Sequence, residues 1–380
     1  MSLMALLLLM IVGVGTTSGT GYSYNLTVTV ANGQNVMLHD DGMSSYYYLL
    51  NQNLFINNSM QTAFLTSVKM NGASAEWQEF SDADGNLMIQ VIANHTLNPQ
   101  QNATLEMLFE IYLRKPILNF TSVGNISEVP AALLSEYPLE GIWNFSQAAN
   151  STQLVLAANS IKGDDENVLA VLMNLLVWFE DNMAYAYGNS DPQTVWQTYI
   201  AKSGDCDDQA NLFVLFCRIL GIPAYTSLGP IYIPGYEQQV ESNLIFELSN
   251  VGWHGWAMVY LPTQDGGFWV PVDLTYAGSS PDSEGHIRTS DPMQHILNSA
   301  LLFKDTAIYM NLKTHDYVSE SIGIKQNITH SDALWIEEHK MAPIHGTQMP
   351  SVNHYLLSLF VGIFLISVII FSAWRRYKRS

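Results

Sequence analysis

Residues 203–225, "SGDCDDQANLFVLFCRILGIPAY", set a cysteine among three aspartates at the mouth of an apolar run that closes on Gly-Ile-Pro. The apolar stripe "NLFVLFCRIL" follows, and a helix beginning near Cys206 is predicted. The chain holds only one other cysteine, Cys217, eleven residues further on. On one helix the two share a face but stand roughly 16 Å apart along the axis, which excludes a disulfide between them. Cys217 lies in the apolar stripe and reads as a small core residue. Cys206 needs another account. Unpaired N–H groups at a helix start favour a thiolate, whereas Asp205, Asp207 and Asp208 oppose it, so a nearby imidazolium is required to keep the sulfur ionised.

A base stands 48 residues later, His254 in "GWHGWAMVYL" (252–261), and a carboxylate follows, Asp273 in "GFWVPVDLTY" (267–276). Alternation places His254, Trp256, Met258 and Tyr260 on one face of a strand, and after "PTQDGG" (262–267) the next strand runs from Phe268 to Thr275. If Leu261 pairs with Phe268, Asp273 is the diagonal neighbour of His254; a tighter loop places the two directly opposite. Either register brings carboxylate and imidazole together, as a base and its orienting group require.

These three blocks resemble the motif blocks of the transglutaminase-like superfamily, over roughly residues 150–280. The resemblance implies a papain-like α+β fold with a Cys-His-Asp triad, in which Cys206 takes the nucleophile's place, His254 the base's and Asp273 the orienting acid's. Two positions depart from the family pattern: Tyr225 stands where an arginine commonly ends Gly-Ile-Pro-Ala-Arg, and Met258 where an acidic residue often follows the histidine by four. Neither is a triad position, so the departures bear on substrate preference.

In front of this region, "YNLTVTV", "SYYYLL", "AFLTSVKM", "LMIQVIA" and "TLEMLFEIYL" are separated by Asn32-Gly33, Asn71-Gly72 and Asp84-Gly85, and read as strands of an all-β sandwich-like domain. Pro116 to Pro138 resembles a linker. "STQLVLAANSI" and "DDENVLAVLMNLLVWFEDNMAY" carry helical periodicity, the second with Asp164 and Asp165 as capping candidates, and strands return at Trp253.

Both chain ends add membrane signals. Residues 3–14, "LMALLLLMIVGV", match a signal-peptide core followed by small residues, although the missing basic flank leaves an uncleaved anchor open. Leu356 to Trp374 is uncharged over 19 residues, long enough to span a bilayer, and "RRYKRS" behind it belongs on the cytoplasmic side. The rest is then extracytoplasmic. Nine Asn-x-Ser/Thr sequons agree, at Asn25, Asn57, Asn94, Asn102, Asn119, Asn125, Asn144, Asn150 and Asn327, eight of them ahead of the Cys206 region. A net charge of −19, with the basic cluster confined to the tail, argues against nucleic acid as a partner.

The expected organisation is therefore a signal peptide (1–18), a glycosylated β-sandwich-like domain (19–128), a transglutaminase-like catalytic domain (129–300), a stalk-like extension (301–353), a transmembrane helix (354–374) and a basic cytoplasmic tail (375–380). The expected activity is thiol acyl chemistry on amide bonds of proteins or peptides, cell-envelope proteins among them. Water as acceptor would make it a peptidase or amidase; an amine would make it a cross-linker. The alternative is a catalytically silent surface binding module on the same fold. No cofactor or metal is expected. Trp253, Trp256 and Trp269 read as core or cleft wall, and His286, His295, His330 and His339 as surface residues without metal-site spacing.

Overall fold

The front of the chain forms β1 (Thr20–Ala31), β2 (Leu38–His39), helix α1 (Ser45–Leu50), β3 (Asn51–Asn53), β4 (Gln61–Met70), β5 (Ala73–Ser74), β6 (Trp77–Ser81), β7 (Leu87–Val91), β8 (Thr96–Leu97) and β9 (Asn102–Leu113). This is a computed structural model, which describes residues 20–33, 35–145, 151–186, 192–240, 244–275, 291–331 and 333–344. Period-two alternation builds the long strands: Tyr22, Tyr24, Leu26, Val28 and Val30 of β1 are buried, with polar residues between them. Burying Leu26, Val28 and Val30 contributes roughly 1.5–3 kcal/mol each. "SYYYLL" is helix rather than strand. Ser44 accepts from the Tyr47 N–H at 3.1 Å, and Tyr46, Leu49 and Leu50 fall on one buried face at helical spacing.

The middle of the chain forms α2 (Ala131–Glu136), α3 (Ser151–Lys162), α4 (Val168–Asn182), β10 (Ala184–Tyr185), α5 (Val195–Ala201), β11 (Ser203–Gly204), α6 (Cys206–Ile219), β12 (Ala224–Val240), β13 (Leu244–Leu261) and β14 (Phe268–Val272). Asn167 caps α4, accepting from the Leu169 and Ala170 N–H groups, whereas Asp165, a capping candidate by sequence, accepts from the Asn174 side chain. Helices α4 and α6 pack their apolar faces together and against β12 and β13 in one core. The sheet starts at Ala224, well before the expected Trp253, because β12 opens with apolar residues and continues through Gly and Pro that mask a strand pattern.

The last part forms α7 (Pro292–Ser299), a 3-10 turn (Ala300–Lys304), β15 (Met310–Leu312), α8 (Tyr317–His330) and β16 (Leu334–Pro343). Strand order in the main sheet is β15-β12-β13-β16-β1-β9-β4-β5, with β14 also on β13. Two expectations are corrected here. The residues assigned to a stalk fold back as far as Ile344: β16 runs parallel to β13 on one side and antiparallel to β1 on the other, and is therefore an interior strand. The front strands likewise continue the sheet of the Cys206 region instead of closing a separate sandwich, with α1 and the three-stranded sheet β3-β7-β6 beside them. Side chains reinforce the join. Gln61 bonds the N–H and C=O of Ile308, Asn86 those of Asn311, and Asp84 accepts from the Lys313 and Thr314 N–H groups.

The expected signal peptide, membrane helix and tail lie outside the described residues. No helix among the described residues is long and apolar enough to cross a membrane.

Candidate active site

Strand β13 changes partner along one edge, and this places the site. Pairing with β16 runs from Leu244 to Ser249, and pairing with β14 from Ala257 to Leu261. Between them, Asn250 adopts a left-handed φ of 54°, and His254 falls in the stretch of β13 after the β16 pairing ends and before the β14 pairing begins. Its other edge stays in the sheet opposite Gly229 of β12.

Leu261 pairs with Phe268, and the ladder ends at Ala257 and Val272, so Asp273 is the first residue beyond β14. His254 Nε2 lies 3.1 Å from Asp273 Oδ1, both side chains being buried. The Thr275 N–H also donates to Oδ1 at 3.1 Å. An ionised carboxylate only accepts, so Nε2 carries the proton and Nδ1 is left as the basic nitrogen.

Cys206 opens α6, whose first turn seats on β13 at Gly255, the residue after His254. A Cβ on Gly255 would come within 2.9 Å of Asp207 Cβ and 3.0 Å of its Cα, so only glycine permits this approach. The Gly255 N–H donates to the Cys206 sulfur, and the thiol lies 4.0 Å from Asp207 Oδ1. The aspartates have different tasks. Asp208 is buried and accepts from Gln193 N–H at 2.7 Å, Gln193 Nε2 at 2.8 Å and Asp205 N–H at 3.3 Å, a structural set that holds the start of the helix.

Asp205 and Asp207 remain beside the sulfur. Burial, then the charges of Asp207 and Asp205, push the Cys206 thiol well above its ordinary range, with the Gly255 N–H acting the other way. Burial and Asp205 likewise push the Asp207 carboxyl well up. The helix start does not outweigh these effects, so the resting group is a thiol. Among the described residues, Asp205, Cys206 and Asp207 are the one grouping whose ligand atoms converge within 4.8 Å; three successive residues at a helix start do so by adjacency.

Trp256 is buried and stacks on the His254 ring at 6.0 Å, while Trp253 is 39% exposed and Trp269 half-buried. Tyr225 stacks on Tyr137 and meets Trp269 edge-on, and Met258 lies in the same apolar cluster, so both positions that depart from the family pattern pack as apolar residues here. Burial and then the nearby Asp207 push up the hydroxyl of Tyr317, at the start of α8, which is the site neighbour the motifs missed. No motif announced it, because it reaches the site only through the fold-back of the C-terminal segment.

Two histidines read as surface residues are buried. His295 bonds to Glu180 and to the backbone of Asp273, and His339 bonds to the Tyr24 hydroxyl at 2.6 Å and to Glu337 at 2.9 Å. Both are polar residues that found buried partners, which spacing cannot reveal. His330 is exposed, and His286 lies outside the described residues.

The family model described as the transglutaminase-like superfamily matches residues 156–274. A search of curated proteins finds no match. Among solved structures, the chain is similar to a cysteine protease candidate from Cytophaga hutchinsonii, at 14% identity over 87% of this chain and 93% of that one, with a TM-score of 0.49. It is also similar to the periplasmic domain of TgpA from Pseudomonas aeruginosa bound to ethylmercury, at 13% identity over 68% and 90%, with a TM-score of 0.28. A protease candidate from Parabacteroides distasonis gives 9% identity over 66% and 63%, with a TM-score of 0.24. The matched segment runs from α3 through the residue after Asp273 and takes in Cys206, His254 and Asp273, so the part of the chain that carries the candidate site is similar to the transglutaminase-like superfamily.

Proposed function

We propose that the protein is a membrane-anchored, extracytoplasmic cysteine enzyme that cleaves or transfers acyl groups at amide bonds of proteins or peptides through Cys206, His254 and Asp273. The observation that carries this reading is the line of contacts in which Asp273 holds His254 Nε2 while the next residue, Gly255, donates its N–H to the Cys206 sulfur. As the sulfur attacks the carbonyl carbon, the S–C bond forms and the thiol proton passes to His254 Nδ1. The same nitrogen then protonates the departing amine as the C–N bond breaks, leaving a thioester. Water or a second amine, deprotonated by Nδ1, attacks the thioester and releases the sulfur, which recovers its proton. The backbone N–H of Cys206, at a helix start, is suited to the oxyanion. Because the resting thiol is neutral, His254 acts as a general base during attack rather than as one half of a standing ion pair.

The test uses p-nitrophenyl acetate as the acyl donor. Wild type is expected to release a stoichiometric burst of p-nitrophenolate with acetyl on Cys206, and His254→Ala to lose at least about 10²-fold in burst rate. A wild type without a burst, alkylated at the same rate as His254→Ala by iodoacetamide across pH, refutes the enzyme. The suppressed thiol is the observation that favours the second reading, a silent binding module.

Anchoring rests on the uncharged run Leu356–Trp374 followed by "RRYKRS", and glycosylation on sequon residues Asn57, Asn94, Asn102, Asn119, Asn125 and Asn144, all exposed. Protease added to intact cells is expected to degrade the protein down to a small membrane fragment; protection of the Cys206 region contradicts the topology.

A further inference from the structure

Asp273 lies just past the end of the β13–β14 ladder, whose last pair is Ala257 and Val272. Helix α7 bonds its backbone on both sides of the Cα. Ser299 Oγ accepts from the Asp273 N–H at 3.0 Å and donates to the His295 carbonyl at 3.0 Å. One turn earlier, His295 Nε2 is 2.5 Å from the Asp273 carbonyl oxygen. A carbonyl only accepts, so Nε2 is the donor, and Nδ1 meets Glu180 Oε1 of α4 at 3.1 Å. His295 is 1% exposed, and Ser299 and Asp273 are fully buried.

An imidazole and a carboxylate taken out of water at this depth cost desolvation that an apolar pair of similar volume would avoid. What the polar pair provides is orientation, since the peptide groups on both sides of the Asp273 Cα are held while its carboxylate points to His254. We infer that His295, backed by Glu180 and joined by Ser299, is a positioning residue for Asp273; this rests on the triad reading above.

The experiment measures the acylation burst of the full-length protein with p-nitrophenyl acetate in wild type, Asp273→Ala, His295→Ala, His295→Gln, Glu180→Gln and the Asp273→Ala/His295→Ala double variant, with Tm recorded for each. Misplacement of a catalytic group by about 1 Å costs on the order of 10²-fold, so His295→Ala is expected to slow acylation about 10- to 100-fold. His295→Gln should regain most of the rate, because its amide can still donate to the Asp273 carbonyl. In the Asp273→Ala background, His295→Ala should add less than about twofold, whereas a merely structural role would give the same loss in both backgrounds. Slow Asp273→Ala with wild-type His295→Ala overturns the positioning role alone; wild-type Asp273→Ala overturns the triad and this inference together. If His295→Ala does not fold, the folded His295→Gln and Glu180→Gln variants decide. A Glu180→Gln rate several-fold below wild type, with His295→Gln less affected than Asp273→Ala, supports the role, and unchanged Glu180→Gln overturns it.

Discussion

The two ends of helix α6 carry the chain's two cysteines and treat buried charge in opposite ways. At the C-terminal end, Arg218 is 7% exposed, yet two of its three nitrogens are engaged, Nε with the Ala224 carbonyl at 2.8 Å and Nη1 with the Pro138 and Lys313 carbonyls at 2.5 and 2.8 Å, while Nη2 is buried without a hydrogen bond among the described residues. The guanidinium also lies 3.8 Å over the Trp143 ring, and the helix end favours a cation. One side chain thus ties the linker region, the start of β12 and the returning C-terminal segment to the same helix. At the N-terminal end, the thiol and the Asp207 carboxyl are both pushed up, the thiol by burial and then Asp207, the carboxyl by burial and then Asp205. A charge with fixed partners holds the fold; charges left in mutual opposition leave a group whose protonation a neighbouring base can control.

The largest expected contrast is in reactivity. Cys206→Ala should abolish the acylation burst, by at least about 10³-fold, whereas Cys217→Ala, in the fully buried stripe, should leave the rate within about twofold. Mass mapping of iodoacetamide adducts on native protein should find Cys206 and not Cys217; equal labelling would remove the distinction between the two ends.

Arg218→Met tests the structural end. It leaves three carbonyls without this donor, that of Ala224 buried and those of Pro138 and Lys313 partly so, and urea unfolding is expected to show a loss of about 3 kcal/mol with the acylation burst retained in the folded fraction. A loss under about 1 kcal/mol would mean that the three segments are held together elsewhere.

The smallest effect is electrostatic. A raised thiol pKa means that Cys206 stays protonated through neutral pH and forms thiolate only above the ~8.5 of a free thiol, so its iodoacetamide rate should inflect on the alkaline side of that value. Asp207→Asn removes one of the charges that oppose the thiolate and should move the inflection down by about one unit or less, without measurable change in stability. An upward or absent shift would show that Asp207 is uncharged while the thiol titrates.

Much of the site was legible because it is written in short-range pattern. Period-two alternation put His254 on a strand, and the loop of six residues set Leu261 against Phe268, which brought Asp273 to the imidazole. The polar residues at the site's rear were not legible. His295, Ser299 and Glu180 are separated in sequence by up to 119 residues and become partners only when α7 packs behind β14 and beside α4. The balance at the thiol was not legible for a related reason: the sequence shows the helix start and the neighbouring acids, but the burial that pushes the thiol up arises where the turn seats on β13 at Gly255.

By itself the sequence determined the elements whose causes are local: the alternating strands β1, β4, β7 and β9, the helices α3, α4 and α6, and the three motif blocks. Tertiary structure decided which strands became neighbours. Residues 334–343, "LWIEEHKMAP", carry two glutamates, a histidine and a lysine and look like an exposed segment, yet they run through the middle of the sheet. They can do so because Glu337 and His339 bond each other and His339 bonds Tyr24, so polar atoms that water would satisfy in an extended chain are satisfied by partners more than 300 residues away or two positions along the strand. Hydrogen bonds of that range leave no periodic trace, which is why the join between the two halves of the molecule exists only in the folded chain.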